Sequence, residues 1–336
     1  MVKRTDGDGN DNTFPLLDQY VHYMQAVKER SVLTMKEYRY DLVLFFRFMK
    51  RDRGLIPKET AINTIDISDT DIDFIKKITS DDLFVFMIFL ARERKASAAT
   101  RARKAATIKS FFKYLYQKRK MINEDPSYEL ESPKVGRRLP KYLNLDESVK
   151  LIHTAYDADS VSAKRDYCMI TLFLNCGMRL SELRGINISD IRDDTLTVIG
   201  KGDKERTIYL NDACMRAVSE WLEDRNRYKI KEPDALFLSS RGVRISHQMI
   251  QNIVKKRLGE AGIDARNYSV HKLRHTAATL MYKYGQVDIR SLQTILGHSS
   301  VATTQIYTHV DNAALHDAVN RNPLAGLKPE TDEWNE

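Results

Sequence analysis

The sequence predicts a mainly α-helical protein of the α+β class, with two domains and one small antiparallel hairpin. Apolar residues recur at helical spacing over residues 14–125 and again through most of the chain beyond residue 141. Only residues 195–210 show the alternation of apolar and polar side chains that is typical of a half-buried strand. The 336 residues are sufficient for two domains of ordinary size, each with its own core.

The N-terminal domain is predicted to be helical over residues 14–125. Residues 1–13 precede it and are polar and rich in Gly, Asp and Asn, so we expect them to be disordered. The first helix has one apolar face, formed by Leu16, Tyr20, Met24 and Val27. Three further helices are predicted: one over 34–51, one that begins at Ser80 or Asp81 as N-cap and ends at about Arg94, and one within 92–120. A long, partly helical connection is predicted at 52–77.

A proline-punctuated basic segment, 126–140, is predicted to link the two domains. Its helix breakers are Pro126, Pro133, Gly136 and Pro140. Asn144 followed by Glu147 resembles a capping box, which predicts the start of a new helix. The second domain is therefore expected over 141–310, followed by a C-terminal tail, 311–336, with a short amphipathic helix.

The second domain is predicted to contain the hairpin and several helices. The two strands are 195–199 and 205–210, and a glycine-containing turn, 200–204, joins them. The clearest helices are predicted over 246–258, 272–284 and 288–296, the last ending at Gly297.

Positive charge is concentrated in one segment of the N-terminal domain. The whole chain has a net charge of +8 and a pI of about 9.2. Residues 92–120 contain eleven Lys or Arg and a single acidic residue, so this segment favours a polyanionic partner over an ordinary solvated face. The predicted DNA contacts here and in the linker are Arg92, Arg94, Lys95, Arg101, Arg103, Lys104, Lys109, Arg137 and Arg138.

The three cysteines are predicted to be core residues in a reducing compartment. Cys168, Cys176 and Cys214 form no C-x-x-C pair and lie in apolar helical contexts, which argues against a metal site or a disulfide framework. The chain contains no run of 18 apolar residues and no visible signal peptide. We therefore expect a cytoplasmic protein without membrane segments.

A tyrosine late in the chain is preceded by five cationic or potentially cationic side chains. The tyrosine is Tyr307, and the others are Arg179, Lys201, His271, Arg274 and His298. A phenol has a pKa of about 10, so a tyrosine that attacks a phosphodiester requires a base or positive surroundings. Guanidinium groups can hold the non-bridging oxygens, and a lysine can protonate the leaving oxygen. The ordered set predicts tyrosine attack on a phosphate, without a metal or another cofactor.

Two of these residues have structural explanations that remain open. Arg179 could form an ordinary ion pair with Glu182, which lies three residues later on the same helix face and could equally orient it. Lys201 could be a simple turn lysine, and Lys204 is a rival proton donor in the same turn.

The remaining members occupy helices and helix ends. His271 and Arg274 are three residues apart, which places them on one helix face. By the same spacing, Lys272 and His275 are predicted to point elsewhere. His298 follows a helix end, where a capping role is the simpler explanation.

Taken together, these motifs resemble those of the tyrosine recombinase (phage integrase) family of site-specific DNA recombinases, in particular its Xer-like members. The resemblance covers about 320 residues, from Phe14 onward, and the order Arg, Lys, His, Arg, His, Tyr matches the family pattern. The motifs that carry it are Gly177-Met-Arg-Leu-Ser-Glu182, His271-x-x-Arg274 and Leu296-Gly-His298 with Tyr307.

The resemblance implies an N-terminal, SAM-like core-binding domain and a mixed α/β catalytic domain that together clamp duplex DNA. Tyr307 would form a 3′-phosphotyrosyl intermediate and release a 5′-hydroxyl, without metal or ATP. The other implied roles are phosphate binding for Arg179, Arg274 and His298, protonation of the leaving 5′ oxygen for Lys201, and acid/base catalysis on the tyrosine for His271, with Glu182 in support.

The family pattern also implies an assembly. Four protomers would act on two DNA sites through a Holliday junction, and the tail 311–336 would pack into a neighbouring protomer, the alternative being its own domain. Chromosome dimer resolution and mobile-element integration or excision both remain open as roles, with or without a paralogue or accessory factor.

Two rival functions remain. A type IB topoisomerase uses similar chemistry, but the Leu-Gly-His motif and the tail argue against it. A DNA-binding protein with this fold but no activity would not require Tyr307.

Overall fold

The chain divides into two units, Met1–Arg137 and Arg138–Glu336, and each is described by itself. The computed structural model describes residues 12–134, 136, 141–158, 160–200, 205–285, 287–297 and 304. None of the described helices is both long and apolar enough to cross a bilayer.

The N-terminal unit consists of helices. They are α1 (Pro15–Ala26), α2 (Val32–Asp52), α3 (Ile72–Lys76), α4 (Ser80–Arg92) and α5 (Ala98–Lys113), which continues as a π-helical turn over Tyr114–Arg119, with a 3₁₀ turn at Ile62–Thr64 between α2 and α3. The predicted partly helical connection at 52–77 agrees with α3 and the 3₁₀ turn, which both lie within it.

Aromatic side chains hold this unit together. Phe45 on α2 packs edge-to-face on Phe86 of α4, with ring centroids 5.1 Å apart, and also contacts Phe112 of α5. Tyr20 of α1 packs on Phe111 of α5 and donates a hydrogen bond from its hydroxyl to Ser110 Oγ at 2.8 Å. Aromatic rings at these helix crossings bury large areas, and their edge-to-face geometry is favourable.

Two details of the predicted N-terminal unit are wrong. The N-cap of α4 is Thr79, which forms a capping box with Asp82, and neither Ser80 nor Asp81 has this role. Val27 lies beyond the end of α1 and is 62% exposed, whereas Leu17 and Val21 complete the buried face. A run of Thr, Ser and Asp offers several equivalent caps, and only the backbone conformation selects among them.

The C-terminal unit contains seven α-helices and one small sheet among its described residues. The helices are α6 (Leu145–Tyr156), α7 (Ala163–Cys176), α8 (Leu180–Gly185), α9 (Asp212–Arg225), α10 (His247–Glu260), α11 (Val270–Tyr284) and α12 (Ile289–Leu296). The predicted capping box of Asn144 and Glu147 begins α6.

The sheet is antiparallel, with strands in the order β1 (Ile191–Arg192), β2 (Thr195–Ile199) and β3 (Glu205–Tyr209). The predicted hairpin corresponds to β2 and β3, which pair in the register Thr197 opposite Thr207. Strand β1 was not predicted, because two residues are too few to show an alternating pattern.

Helix α7 occupies the centre of the unit and packs against α6, α9 and α11. Ten of its fourteen residues are buried, and the predicted core cysteine Cys168 is among them. Cys176 and Cys214 are also buried and free, which confirms that the three cysteines are core residues. Because α7 is enclosed on nearly all sides, its C-terminal end fixes the position of the residues that follow it.

Candidate active site

The site begins where α7 ends. Gly177 ends this helix with φ +60°, a conformation that glycine adopts without strain. A Cβ at this position would lie 2.8 Å from Leu296 Cδ2, so any other residue would also displace this side chain of α12. Two residues later, Arg179 is the N-cap residue of α8, and its side chain is 31% exposed.

Glu182 is the hub of the site. Its carboxylate is almost completely buried and accepts hydrogen bonds from the backbone N–H of Arg179 at 2.7 Å and from the Arg179 guanidinium at 2.6 Å. Arg206 donates to the same carboxylate at 2.9 Å, and an Arg274 nitrogen lies 3.8 Å away. Burial alone would raise the pKa of Glu182, but the Arg179 N–H and the Arg206 guanidinium together hold that pKa below its ordinary value.

The predicted residue Arg274 lies in the interior on α11. Its side chain is 3% exposed, and its two terminal nitrogens donate to the carbonyl oxygens of Gly177 at 2.8 Å and Leu296 at 2.6 Å. Arg179 in turn donates to the carbonyl of Gly297 at 2.8 Å. The two arginines therefore converge on the C-terminal end of α12, where unsatisfied carbonyl groups carry partial negative charge.

Arg206 was missed by the sequence analysis. It lies on β3 and is held between Glu182 and the carbonyl of Ile295, the third acceptor at the end of α12. The strand pattern contained a signal for it, because Arg206 shares the inward face of β3 with the buried Ile208. A charged residue on the buried face of a strand requires a partner, so its position alone indicates an ion pair.

His271 lies one helical turn before His275 on α11. The two rings are in edge-to-face contact, with centroids 4.6 Å apart, so the prediction that His275 points elsewhere is wrong. Partial burial, followed by the charges of Arg274 and Arg179, lowers the pKa of His271. Burial and the neighbouring His271, Arg274 and Lys272 lower the pKa of His275 to about 4. A neutral His271 can accept a proton at neutral pH.

Several predicted site residues lie outside the described residues. They are Lys201, Lys204, His298 and Tyr307, together with Arg137 and Arg138 of the linker. The structure brings together Arg179, Glu182, His271 and Arg274, and adds Arg206. Within the described parts of the chain, no three His, Cys, Asp or Glu side chains are grouped so that they could hold a metal ion.

The predicted DNA contacts of the N-terminal unit have different surroundings. Arg92, Arg94 and Lys95 are exposed at the end of α4 and in the loop that follows, and Arg101 and Lys109 are partly exposed on α5. The other two, Arg103 and Lys104, bind the buried carboxylate of Asp41 on α2, at 2.6 and 2.5 Å.

Comparison with known proteins identifies both units. Residues 141–314 match the model of the phage integrase family, and residues 17–119 match that of the phage integrase N-terminal SAM-like domain. The chain is 53% identical to tyrosine recombinase XerC of Caldanaerobacter subterraneus subsp. tengcongensis over 311 residues, which cover 93% of this chain and 87% of that protein. It is 34% identical to tyrosine recombinase XerD of Listeria innocua, with 90% and 96% covered.

Solved structures show the same fold. XerH site-specific recombinase bound to its difH substrate superposes with a TM-score of 0.66 at 23% identity, covering 91% of this chain and 84% of that one. A lambda integrase tetramer bound to a Holliday junction superposes with a TM-score of 0.63 at 19% identity, covering 87% and 76%. With the two matching family models and the similarity to XerC, these findings show that the chain belongs to the tyrosine recombinase family of site-specific DNA recombinases.

Proposed function

We propose that this recombinase cleaves DNA through Tyr307 and that Arg179 and Arg274 bind the scissile phosphate. The observation that carries the proposal is the convergence of the two guanidinium groups on one buried carboxylate, Glu182, beside a histidine whose pKa is lowered. Arginines fixed in this way present charge at one place without further reorganisation when charge develops on a phosphate.

The remaining steps follow from the order of the motifs. His271, neutral at pH 7, accepts the proton of the Tyr307 hydroxyl as the phenolate oxygen attacks phosphorus. The P–O bond to the 5′ oxygen breaks, and Lys201 supplies the proton that this oxygen requires, with His298 as an additional phosphate ligand. The 3′-phosphotyrosyl bond retains the energy of the phosphodiester, so a 5′-hydroxyl from a second strand reverses the attack without ATP.

We infer that the exposed basic residues of α4, α5 and the linker contact duplex DNA. The net charge of +10 in residues 92–120 supports this inference. The lambda integrase tetramer on a Holliday junction supports an assembly of four protomers. We expect the tail 311–336 to contact a neighbouring protomer in that assembly. Similarity to XerC and XerD over at least 90% of the chain favours chromosome dimer resolution, in the cytoplasm, over mobile-element transfer.

A suicide-substrate assay tests the chemistry. Nicked duplexes that carry candidate sites from DNA flanking the gene are incubated with the protein in EDTA and separated on a denaturing gel. We expect a slowly migrating protein–DNA adduct that Tyr307→Phe abolishes without loss of DNA affinity. The matched control is Tyr284→Phe, an exposed tyrosine at the end of α11, which should leave the adduct unchanged. An adduct that persists in Tyr307→Phe would refute the assignment of the nucleophile.

A further inference from the structure

Arg206 links three parts of the catalytic unit through one side chain. One terminal nitrogen donates to Glu182 Oε2 at 2.9 Å on α8, and the other donates to the Ile295 carbonyl at the end of α12. The residue itself belongs to β3, and its side chain is only 13% exposed. Its Nε is buried and has no hydrogen-bond partner among the described residues.

The backbone at the end of α12 is shaped to admit this side chain. Gly297 has φ +63°, and a Cβ at this position would lie 2.8 Å from Arg206 Cδ and 3.1 Å from Arg206 Nε. Glycine is therefore required here for the stem of the arginine as well as for the helix cap. A long side chain that is threaded between a helix end and a buried carboxylate fixes the distance between them.

The acceptors of the other two arginines depend on the same helix end. Arg274 donates to the Leu296 carbonyl and Arg179 to the Gly297 carbonyl, which directly follow the Ile295 carbonyl that Arg206 holds. Both also interact with Glu182, the second group that Arg206 holds. Displacement of Arg206 would therefore alter two anchor points of each phosphate-binding arginine.

We propose that Arg206 is a positioning residue for the cleavage reaction, which sets the orientation of Arg179 and Arg274 by holding Glu182 and the C-terminal end of α12. The inference rests on the proposed role of those two arginines as phosphate ligands. Arg206 itself acts through them and does not contact the substrate. A lysine cannot replace it, because a single ammonium group lacks the planar fork that reaches two acceptors in different directions.

The test compares two scissile linkages in single-turnover cleavage. In a methylphosphonate, one non-bridging oxygen is a methyl group, so the linkage is neutral and depends less on arginine orientation. We expect Arg206→Met to lower the cleavage rate roughly 10–100-fold on the phosphodiester, the size expected for imperfect electrostatic stabilisation. On the methylphosphonate, its rate relative to wild type on the same substrate should be reduced less than about 3-fold, because less charge must be stabilised.

Arg244→Met is the matched control. The Arg244 side chain is 18% exposed and donates to the carbonyls of Arg184 and Ile186 at 3.0 and 2.9 Å. These acceptors are neither Glu182 nor the end of α12, so we expect Arg244→Met to lower stability without the substrate dependence of Arg206→Met. Arg206→Lys, which preserves the charge and most of the packing, is the second variant, and we expect it to reproduce the substrate dependence of Arg206→Met.

The outcomes separate this inference from the proposed function. An equal loss of rate on both linkages for folded Arg206→Met and Arg206→Lys would overturn the positioning role, as would full activity of Arg206→Lys. If wild-type protein formed no adduct with either linkage on a site that it binds, the proposed tyrosine chemistry would fail first. A wild-type adduct together with the expected substrate dependence supports both.

Discussion

Each unit contains a carboxylate buried among cations, Asp41 in the N-terminal unit and Glu182 in the catalytic unit, and the two arrangements differ. In the N-terminal unit, Asp41 is 1% exposed and accepts hydrogen bonds from Arg103, Lys104 and Thr107, all on α5. In the catalytic unit, Glu182 is 3% exposed and meets arginines from α8, β3 and α11. Both carboxylates require these partners, since a buried charge without compensation is costly.

The difference lies in where the remaining donors of the cations point. The cations around Asp41 come from one helix, so the cluster joins α2 to α5. The arginines around Glu182 donate their other N–H groups to carbonyls of the α7 and α12 ends, so the cluster arranges guanidinium groups around a common position. The buried ion pairs of Asp41 join two helices, and we propose that those of Glu182 organise charge for the cleavage reaction.

Neutralising each carboxylate should separate these two roles, and this is the largest effect that we expect. Glu182→Gln should lower single-turnover cleavage by roughly 100-fold or more, because Arg179 and Arg274 lose the negative charge with which both are paired. Asp41→Asn should leave cleavage by DNA-saturated protein within about 3-fold of wild type, yet destabilise the N-terminal unit by roughly 3 kcal/mol, the cost of breaking a buried pair. Cleavage is measured with the nicked substrate, and stability by hydrogen exchange resolved for each unit.

A loss of cleavage activity in Asp41→Asn would contradict this distinction between the two carboxylates. If folded Asp41→Asn lost as much cleavage activity as Glu182→Gln at saturating DNA, the Asp41 cluster would have to act on the chemistry as well. Apolar side chains with methyl groups are unsuitable in place of the Gln and Asn of these variants, because they would also change the volume of a closely packed interior.

The same contrast shows what sequence patterns can predict. The capping box at Asn144 and the hairpin of β2 and β3 depend on residues that are neighbours in the chain, and both were predicted correctly. The ion pair of Lys104 with Asp41 joins residues 63 positions apart, so nothing in the basic segment indicated that two of its cations would be neutralised internally. Local periodicity determines which face of a helix is apolar, whereas the packing of helices determines which charges meet.

The site shows the same limit. The spacing of His271 and Arg274 on one helix face was predicted from helical periodicity, and the contact of His275 with His271 follows from the next turn of the same helix. Arg206 was missed because its two acceptors, on α8 and α12, are brought to β3 only by the folded unit. Motif order identified the family, but it did not reveal how the arginines are held.

Salt dependence of DNA binding should distinguish the two kinds of cation on α5, an effect of intermediate size. Lys104 is 12% exposed and ion-paired with Asp41, whereas Lys109 lies on the same helix outside that cluster and is partly exposed. Lys109→Ala should reduce the slope of log Kd against log salt by about 1, as expected for one lost phosphate contact. Lys104→Met should leave the slope unchanged while lowering the stability of the N-terminal unit. Equal changes in slope would show that the Asp41 cluster opens on DNA.

The smallest expected effect is a pH dependence of stability confined to the catalytic unit. The folded state holds the pKa of His275 at about 4, below the ordinary value, because of burial and the positive charges of His271, Arg274 and Lys272. As pH falls from about 6.5 towards 4, the unfolded chain binds a proton that the folded unit excludes, so stability present at neutral pH is lost.

In hydrogen exchange, protection of α11 should decrease between pH 7 and pH 5 after correction for intrinsic exchange, and the corresponding fall in Tm should be roughly 2–4 °C. His275→Gln should flatten this dependence.

Residues 1–137 contain a single histidine, His22 on α1, remote in sequence from Asp41, so protection around the Asp41 cluster should change less over the same interval. Glu182, whose pKa is also lowered, contributes only at more acidic pH, because its stabilisation is lost as the carboxylate protonates below the ordinary glutamate pKa. A pH dependence that survives in His275→Gln would instead assign the effect to His271 or His247, whose pKa values are also lowered in this unit.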